Sequence, residues 1–296
     1  MRYEHSLDAL NFFLADVRQG LGPYLAIYLL TERHWAQDQI GFVMTIATVC
    51  GLIVQTPAGA LTDSSHAKRA IIVAAALVVT GASILLPFMS SFVLVAGSQA
   101  AADAAAAFFG PVIAAITLGL MGPRAFTRRI GRNESFNHAG NAAAAALAGV
   151  CAWKYGPTVV FYLIAAMALL SIVSVLTIRA EAIDYDRARG LKDGPSASHE
   201  KPSGLSVLMS SRGLLIFVIF HLANAAMLPL VGQKLALQDE NQGTALMSGC
   251  IVAAQIVMVP MAALVGHKAD ILGPKASLSC RIGHFVSARF SLPLFG

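Results

Sequence analysis

Charge is scarce in this chain. Only 12% of its 296 residues are Asp, Glu, Lys or Arg, against about 25% in a typical soluble domain. With 56% hydrophobic residues and a mean hydropathy of +0.67, that shortage excludes a soluble globular protein. Cysteine is scarce too. Cys50, Cys151, Cys250 and Cys280 are far apart and three of them lie in or at the edge of apolar segments, so neither a disulfide framework nor a metal knuckle follows. Catalytic signatures are missing as well: there is no H-E-x-x-H, no G-x-S-x-G, no G-x-x-x-x-G-K-[ST] and no G-x-G-x-x-G after a strand. Histidines and serines occur singly, and no base–nucleophile pair is legible. The chain does not read as an enzyme; it calls for no cofactor and no metal, and an ion gradient rather than a bound nucleotide would supply any energy.

What the chain has in quantity is apolar sequence at membrane length. A helix needs about 20 mostly apolar residues to cross the hydrocarbon core, and eight segments qualify, at about 9–30, 39–61, 70–89, 92–120, 136–153, 157–178, 207–231 and 244–265. The first is too long and too polar for a signal-peptide core and is expected to stay as a span. Loops after even-numbered spans carry 13 Lys and Arg, whereas loops after odd-numbered spans carry 3, namely Arg33, Lys154 and Lys234. Lys and Arg mark the cytoplasmic side, so the amino terminus and the even-span loops are expected there. That topology accounts for the net charge of +5 without nucleic acid as a partner. Arg124, Arg128 and Arg132 are spaced by four and predict a basic helical stripe anchoring at the anionic leaflet. The stretch from Arg179 to about Ser206 is polar and rich in turn formers, and reads as a flexible linker.

The loops after spans 2 and 8 can be laid on each other. Gly59, Asp63 and Lys68 match Gly266, Asp270 and Lys275 in a shared G-x-x-x-D-x-x-x-x-K, with the two aspartates 207 residues apart. Pro57 and Pro260 precede them. Leu14-Ala15-Asp16 and Leu222-Ala223-Asn224 echo each other at nearly the same offset, followed by Pro23 and Pro229. Glycine in such a loop lets helices approach closely, the aspartate accepts hydrogen bonds from a neighbouring helix N-terminus, and the basic residue sits at the cytoplasmic phosphates. The set reads as a latch between two helix bundles.

These residues resemble the major facilitator superfamily of secondary transporters, whose loop between spans 2 and 3 reads G-x-L-x-D-x-x-G-x-[RK]. Gly59, Leu61, Asp63, Lys68 and Arg69 match the first copy, with His66 in place of the second Gly; Gly266, Asp270, Gly273 and Lys275 match the second. Span 4 has no arginine and span 5 has no glycine-proline motif, features that many proton-coupled exporters of the superfamily carry. The resemblance implies an all-α polytopic membrane protein with a six-span amino-terminal half and about two spans of a second half. It divides the chain into 1–178, the six-span half; 179–206, the cytoplasmic central loop; 207–275, an incomplete second half; and 276–296, an aberrant tail bearing Arg281, His284 and Arg289. It further implies a secondary transporter in the bacterial inner membrane that moves a small solute by alternating access, coupled to protons, with the lipid bilayer as its other partner. The alternative is a membrane-inserted remnant with no transport activity, because the chain reads as carboxyl-terminally truncated.

Polar side chains inside spans are the candidate site, since such groups are costly in a membrane and usually functional. On the resemblance, spans 1, 4 and 7 line a central cavity, which makes Asp16, Arg18, Gln99, Asp103, His221 and Asn224 the expected substrate and proton pathway. Gln99 and Asp103 are four apart on one face of an Ala-rich helix. Asn137 and Asn141 share a face of span 5 and read as interhelical glue. The alanine runs at 100–107 and 142–146 read as close helix contacts. A buried carboxylate that binds and releases a proton as its exposure changes would couple transport to a proton gradient, with Asp103 and Asp16 as the candidates.

Overall fold

The computed structural model describes residues 3–19, 22–190, 227–239 and 242–272. Among these residues there is no strand. The helices are α1 (Glu4–Gln19), α2 (Gly22–Thr31), α3 (Gln37–Ser64), α4 (Lys68–Leu85), α5 (Phe92–Ala106), α6 (Phe109–Tyr155), α7 (Val159–Leu176), α8 (Tyr185–Ala188), α9 (Met227–Gln238) and α10 (Gly243–Leu272). Five helical stretches are long and apolar enough to cross a membrane: Gln37–Ser64, Lys68–Phe88, Phe92–Tyr155, Val159–Leu176 and Gly243–Leu264.

The third of these is two spans. Its 64 residues would extend about 96 Å at 1.5 Å per residue, roughly three times the hydrocarbon thickness. Two breaks divide it. Between α5 and α6 the backbone tightens, with the Phe108 N–H donating to the Ala105 carbonyl at 3.2 Å. Farther on, Gly122 has φ 72° and ψ 169° ahead of Pro123, a left-handed φ that favours glycine next to a residue with no N–H to continue the ladder. The predicted spans 4 and 5 fall on either side of Gly122. Beyond Pro123 the helix runs unbroken to Tyr155, so the arginine stretch at 124–132, expected to separate spans, is the first part of the span 5 helix. The first predicted span is likewise divided, into α1 and α2.

Packing follows the small residues. Leu7, Leu10 and Leu14 form a fully buried stripe on α1, which packs on α6 and α7. A Cβ at Gly140 of α6 would collide with the Phe12 carbonyl oxygen of α1, so that crossing depends on a bare Cα. Ala144, Ala145, Ala148 and Ala152 are buried along α6, in keeping with the close contacts expected of the alanine run. The most extensive helix pairing is α6 with α10, and α9 packs on α2. Through these two contacts the described part of the second half meets the first. Phe42, Leu52, Ile53, Val93, Trp153 and Val173 are exposed, an outward apolar coat suited to lipid.

The central loop departs from expectation at its start. Residues read as flexible linker form a 3-10 turn, Ala180–Ala182, and the short α8. Ile183 and Ala188 are buried, and the Asp184 N–H donates to the Gly119 carbonyl at 3.3 Å. A side chain at Gly119 would press on Ile183, so the glycine makes the seat for this segment. Residues 191–206 of the loop lie outside the described residues.

Candidate functional site

A cavity of about 250 Å³ opens among α1, α2, α3, α5, α6, α9 and α10. Its polar lining is Asp16 from α1, Tyr24 from α2, Thr48 from α3, Gln99 and Asp103 from α5, and Asn141 from α6. Leu25, Met44, Leu228 and Ile251 supply apolar walls. Gln99 and Asp103 share a wall because a separation of four residues returns to the same helix face. Close packing fixes their depth: a Cβ at Gly51 of α3 would lie 3.3 Å from the Asp103 carbonyl oxygen.

Several lining groups have no partner. Gln99 and Asn141 are buried, and Gln99 Nε2 and both amide atoms of Asn141 make no hydrogen bond. Such atoms are costly in an apolar setting unless something supplies the missing bonds. Among the described residues, Asp16 and Asp103 have no ion-pair partner. The cavity is lined by carboxylate, amide and hydroxyl groups, and the unpartnered amide atoms of Gln99 and Asn141 are buried beside it.

Three residues expected in the pathway, Asp16, Gln99 and Asp103, therefore meet at one cavity. Arg18 does not join them: it is absent from the lining, and its Nη1 lies 3.8 Å from the Glu134 carboxylate of α6. His221 and Asn224 lie outside the described residues. Asn141, read as helix glue, lines the cavity instead, while the Nδ2 of Asn137 donates at 3.2 Å to Glu134 of its own helix and the buried Oδ1 has no partner, so the expected bond to a neighbouring helix is not seen among the described residues. Tyr24 was not singled out in sequence; it carries no charge, and the nearby Pro23 was the only signal. Its hydroxyl is 3.0 Å from Ser248 Oγ of α10, and His138 Nδ1 of α6 is 2.7 Å from Gln255 Oε1 of α10. Both contacts tie the first half to α10 beside the cavity.

At the arginine-rich end, the motif residues do something other than expected. Lys68 is fully buried. Its ammonium donates to the Thr62 carbonyl at 2.6 Å and the Ser65 carbonyl at 3.2 Å, so it caps the carbonyl-rich end of α3 instead of reaching lipid phosphates. Arg69 donates to the Leu176 carbonyl at the end of α7, 3.2 Å away. Arg189, just past α8, donates to the Ser64 carbonyl at 2.6 Å, and His66 lies against the Tyr185 ring with centroids 5.1 Å apart. Asp63 is exposed, and a Cβ at Gly59 would meet nothing within 4 Å, so in this conformation neither makes the close helix contact expected of the motif. In the second copy, Gly266 and Asp270 lie on α10 with nothing described beyond their backbone, and Gly273 and Lys275 lie outside the described residues.

One ionic cluster was not read from the sequence. Asp8 and Arg129 are 4% and 5% exposed. Arg129 Nη2 donates to Asp8 Oδ1 at 2.6 Å, and Arg132 grips the same carboxylate with two bonds, at 3.0 Å from Nε and 2.5 Å from Nη2. Arg129 Nε also donates to Asn133, 2.9 Å away, which in turn reaches Thr117 at 3.0 Å. The spacing of Arg124, Arg128 and Arg132 predicted a lipid-facing stripe. The structure turns Arg129 into the bundle and uses Arg132 as an ion-pair partner.

A bundle of apolar helices around a polar chamber is the architecture of an all-α polytopic membrane protein. Residues 7–296 match the Major Facilitator Superfamily. Two relatives, from Mycobacterium tuberculosis strains CDC 1551 / Oshkosh and ATCC 25618 / H37Rv, are each described as an uncharacterized MFS-type transporter. Each is 52% identical over 278 residues, covering 93% of this chain and 66% of the relative. The chain belongs to the major facilitator superfamily, and it spans about two thirds of the length of these relatives.

Proposed function

We propose that the chain carries the solute pathway of a proton-coupled secondary transporter in which two helix bundles rock about the cavity. The observation that carries this reading is the cavity itself. Carboxylates and amides on α1, α5 and α6 line it together with α9 and α10, and the closing contacts Tyr24–Ser248 and His138–Gln255 are single hydrogen bonds. Bonds of that size, worth about 0.5–1.5 kcal/mol each, can be exchanged as one bundle moves against the other.

Asp16 and Asp103 would hold the proton. A carboxylate that faces water on one side of the cycle and the cavity on the other could take up a proton on one side of the membrane and release it on the other. The loop from Gly59 to Arg69 and its copy from Gly266 to Lys275 would hold the bundles at the cytoplasmic face. The test is solute movement into membrane vesicles driven by an imposed pH gradient, with a protonophore as control. Asp16→Asn and Asp103→Asn are each expected to abolish gradient-driven accumulation while exchange at equal pH persists. Undiminished accumulation in both variants would reject the coupling. A wild-type chain that inserts but moves none of a broad solute panel would favour an inactive membrane-inserted form.

A further inference from the structure

We infer that the cargo of this cavity is a small organic cation, an ammonium or guanidinium ion carrying an apolar body; the inference rests on the transporter reading and names its substrate class. From sequence alone the expected pathway mixed two acids with a base, which suits many polar solutes. Among the described residues, the structure places no base on the cavity wall. Arg18 is paired with Glu134, and no Lys, Arg or His is among the described residues that line the cavity. What is left is two carboxylates with no counter-charge from the described residues and acceptor oxygens on Gln99, Asn141, Tyr24 and Thr48.

Charge decides the class first. Uncompensated carboxylates in a low-dielectric chamber are costly, and a cation lowers that cost whereas an anion adds to it. The amide of Asn141 and the Nε2 of Gln99, both buried and unpartnered, lie beside the carboxylates and add no charge to the chamber. Wall polarity then bears on the choice between an organic cation and a bare metal ion. Leu25, Met44, Leu228 and Ile251 face the same space. Those walls suit hydrocarbon substituents; the oxygens facing them would serve a bare ion as well, so competition by Na⁺ and K⁺ is the arm of the test that separates the two. Each carboxylate can hold a proton or pair with the cargo but not both at once, so that cargo and proton compete for the same charge.

The experiment is equilibrium binding of radiolabelled tetraethylammonium to the purified full chain in detergent. Saturable binding is expected, displaced by unlabelled arylammonium ions but not by benzoate, glycerol, Na⁺ or K⁺ at the same concentration. Asp16→Asn and Asp103→Asn should each weaken binding by about 10-fold or more. Asp103→Glu should recover part of the loss, Asn141→Asp should tighten binding, and the exposed Asp38→Asn should leave it unchanged. Should a carboxylate variant fail to fold, the wild-type competition series decides alone. No saturable binding, equal displacement by benzoate or glycerol, or displacement by Na⁺ would overturn the proposal. Binding in the expected pattern with no gradient-driven movement rejects the transport reading and keeps the cation site. Gradient-driven movement of a neutral or anionic solute, with no tetraethylammonium binding, does the reverse.

Discussion

Asp8 and Arg129 are the residues on which the amino-terminal helix depends most. Both are almost fully buried, and they form an ion pair with each other. Removing one partner of a buried pair leaves the other charged and unsolvated, which costs about 3–5 kcal/mol. Asp8→Asn is therefore expected to lower the thermal unfolding midpoint in detergent sharply and to reduce the amount of inserted protein. Arg132, with its side chain 45% exposed, sits where ion pairs contribute about 0–1 kcal/mol, so Arg132→Gln should be far milder by the same assay. Equal losses for the two variants would show that the exposed Arg132–Asp8 contact, and not the buried Arg129–Asp8 pair, carries the cluster. Sequence spacing picked out Arg132 as part of a stripe and passed over Arg129, because adjacent helical residues differ by only 100° and the facing partner alone decides which turns inward.

For the helices, glycine positions separate into those that matter for packing and those that do not. Gly140 stands where α1 crosses α6 with no room for a side chain. Gly140→Val should cost about 1–3 kcal/mol through overpacking and loosen α1 from α6, measurable as faster proteolysis of the amino terminus. Gly122 has open space around it but a φ of 72°, so Gly122→Ala should cost about 1–2 kcal/mol through backbone strain alone. Gly59 has neither constraint in this conformation, and Gly59→Ala should leave the unfolding midpoint unchanged or slightly raised, since alanine is the better helix former. A destabilised Gly59→Ala would mean that the motif glycine is already packed in the resting molecule. The positions of spans 2 to 6 and 8 were legible because apolar length is a local property; span 1 is two helices, and most of span 7 lies outside the described residues. The break at Gly122 was not legible, since the same Gly-Pro pair is compatible with the end of one helix or with a kink between two, and the following arginines look equally at home in a loop.

At the scale of the whole molecule, the two halves meet mainly where α10 lies along α6. A Cβ at Gly149 would be 2.7 Å from the Cβ of Ser248, close to the 3.5–4.5 Å span of a disulfide once the helices part by about 1 Å. Gly149→Cys with Ser248→Cys, in a chain freed of its native cysteines, is expected to cross-link under mild oxidation. If the bundles must rock for transport, gradient-driven accumulation should stop in the cross-linked form and return with reductant, while neither single cysteine has that reversible effect. Transport that continues through the cross-link would mean that α6 and α10 move as one body.

Length, apolar periodicity and the repeated glycine, aspartate and lysine were enough in the sequence to give an all-α polytopic protein of the major facilitator superfamily, because a span is set by about 20 contiguous residues and a loop motif by ten. Asp16, Gln99 and Asp103 were legible as candidates for a related reason: a polar group inside an apolar run stands out without knowledge of its neighbours. Which of them share a chamber depends on helix rotation and crossing, which are set by contacts between residues more than a hundred positions apart. Only the tertiary structure could turn Arg18 toward Glu134, bring Asn141 and Tyr24 to the cavity, bury Lys68 against the end of α3 and close Asp8 onto Arg129. The charge of the cavity, and with it the class of cargo proposed for it, is a property of that arrangement and of no segment taken alone.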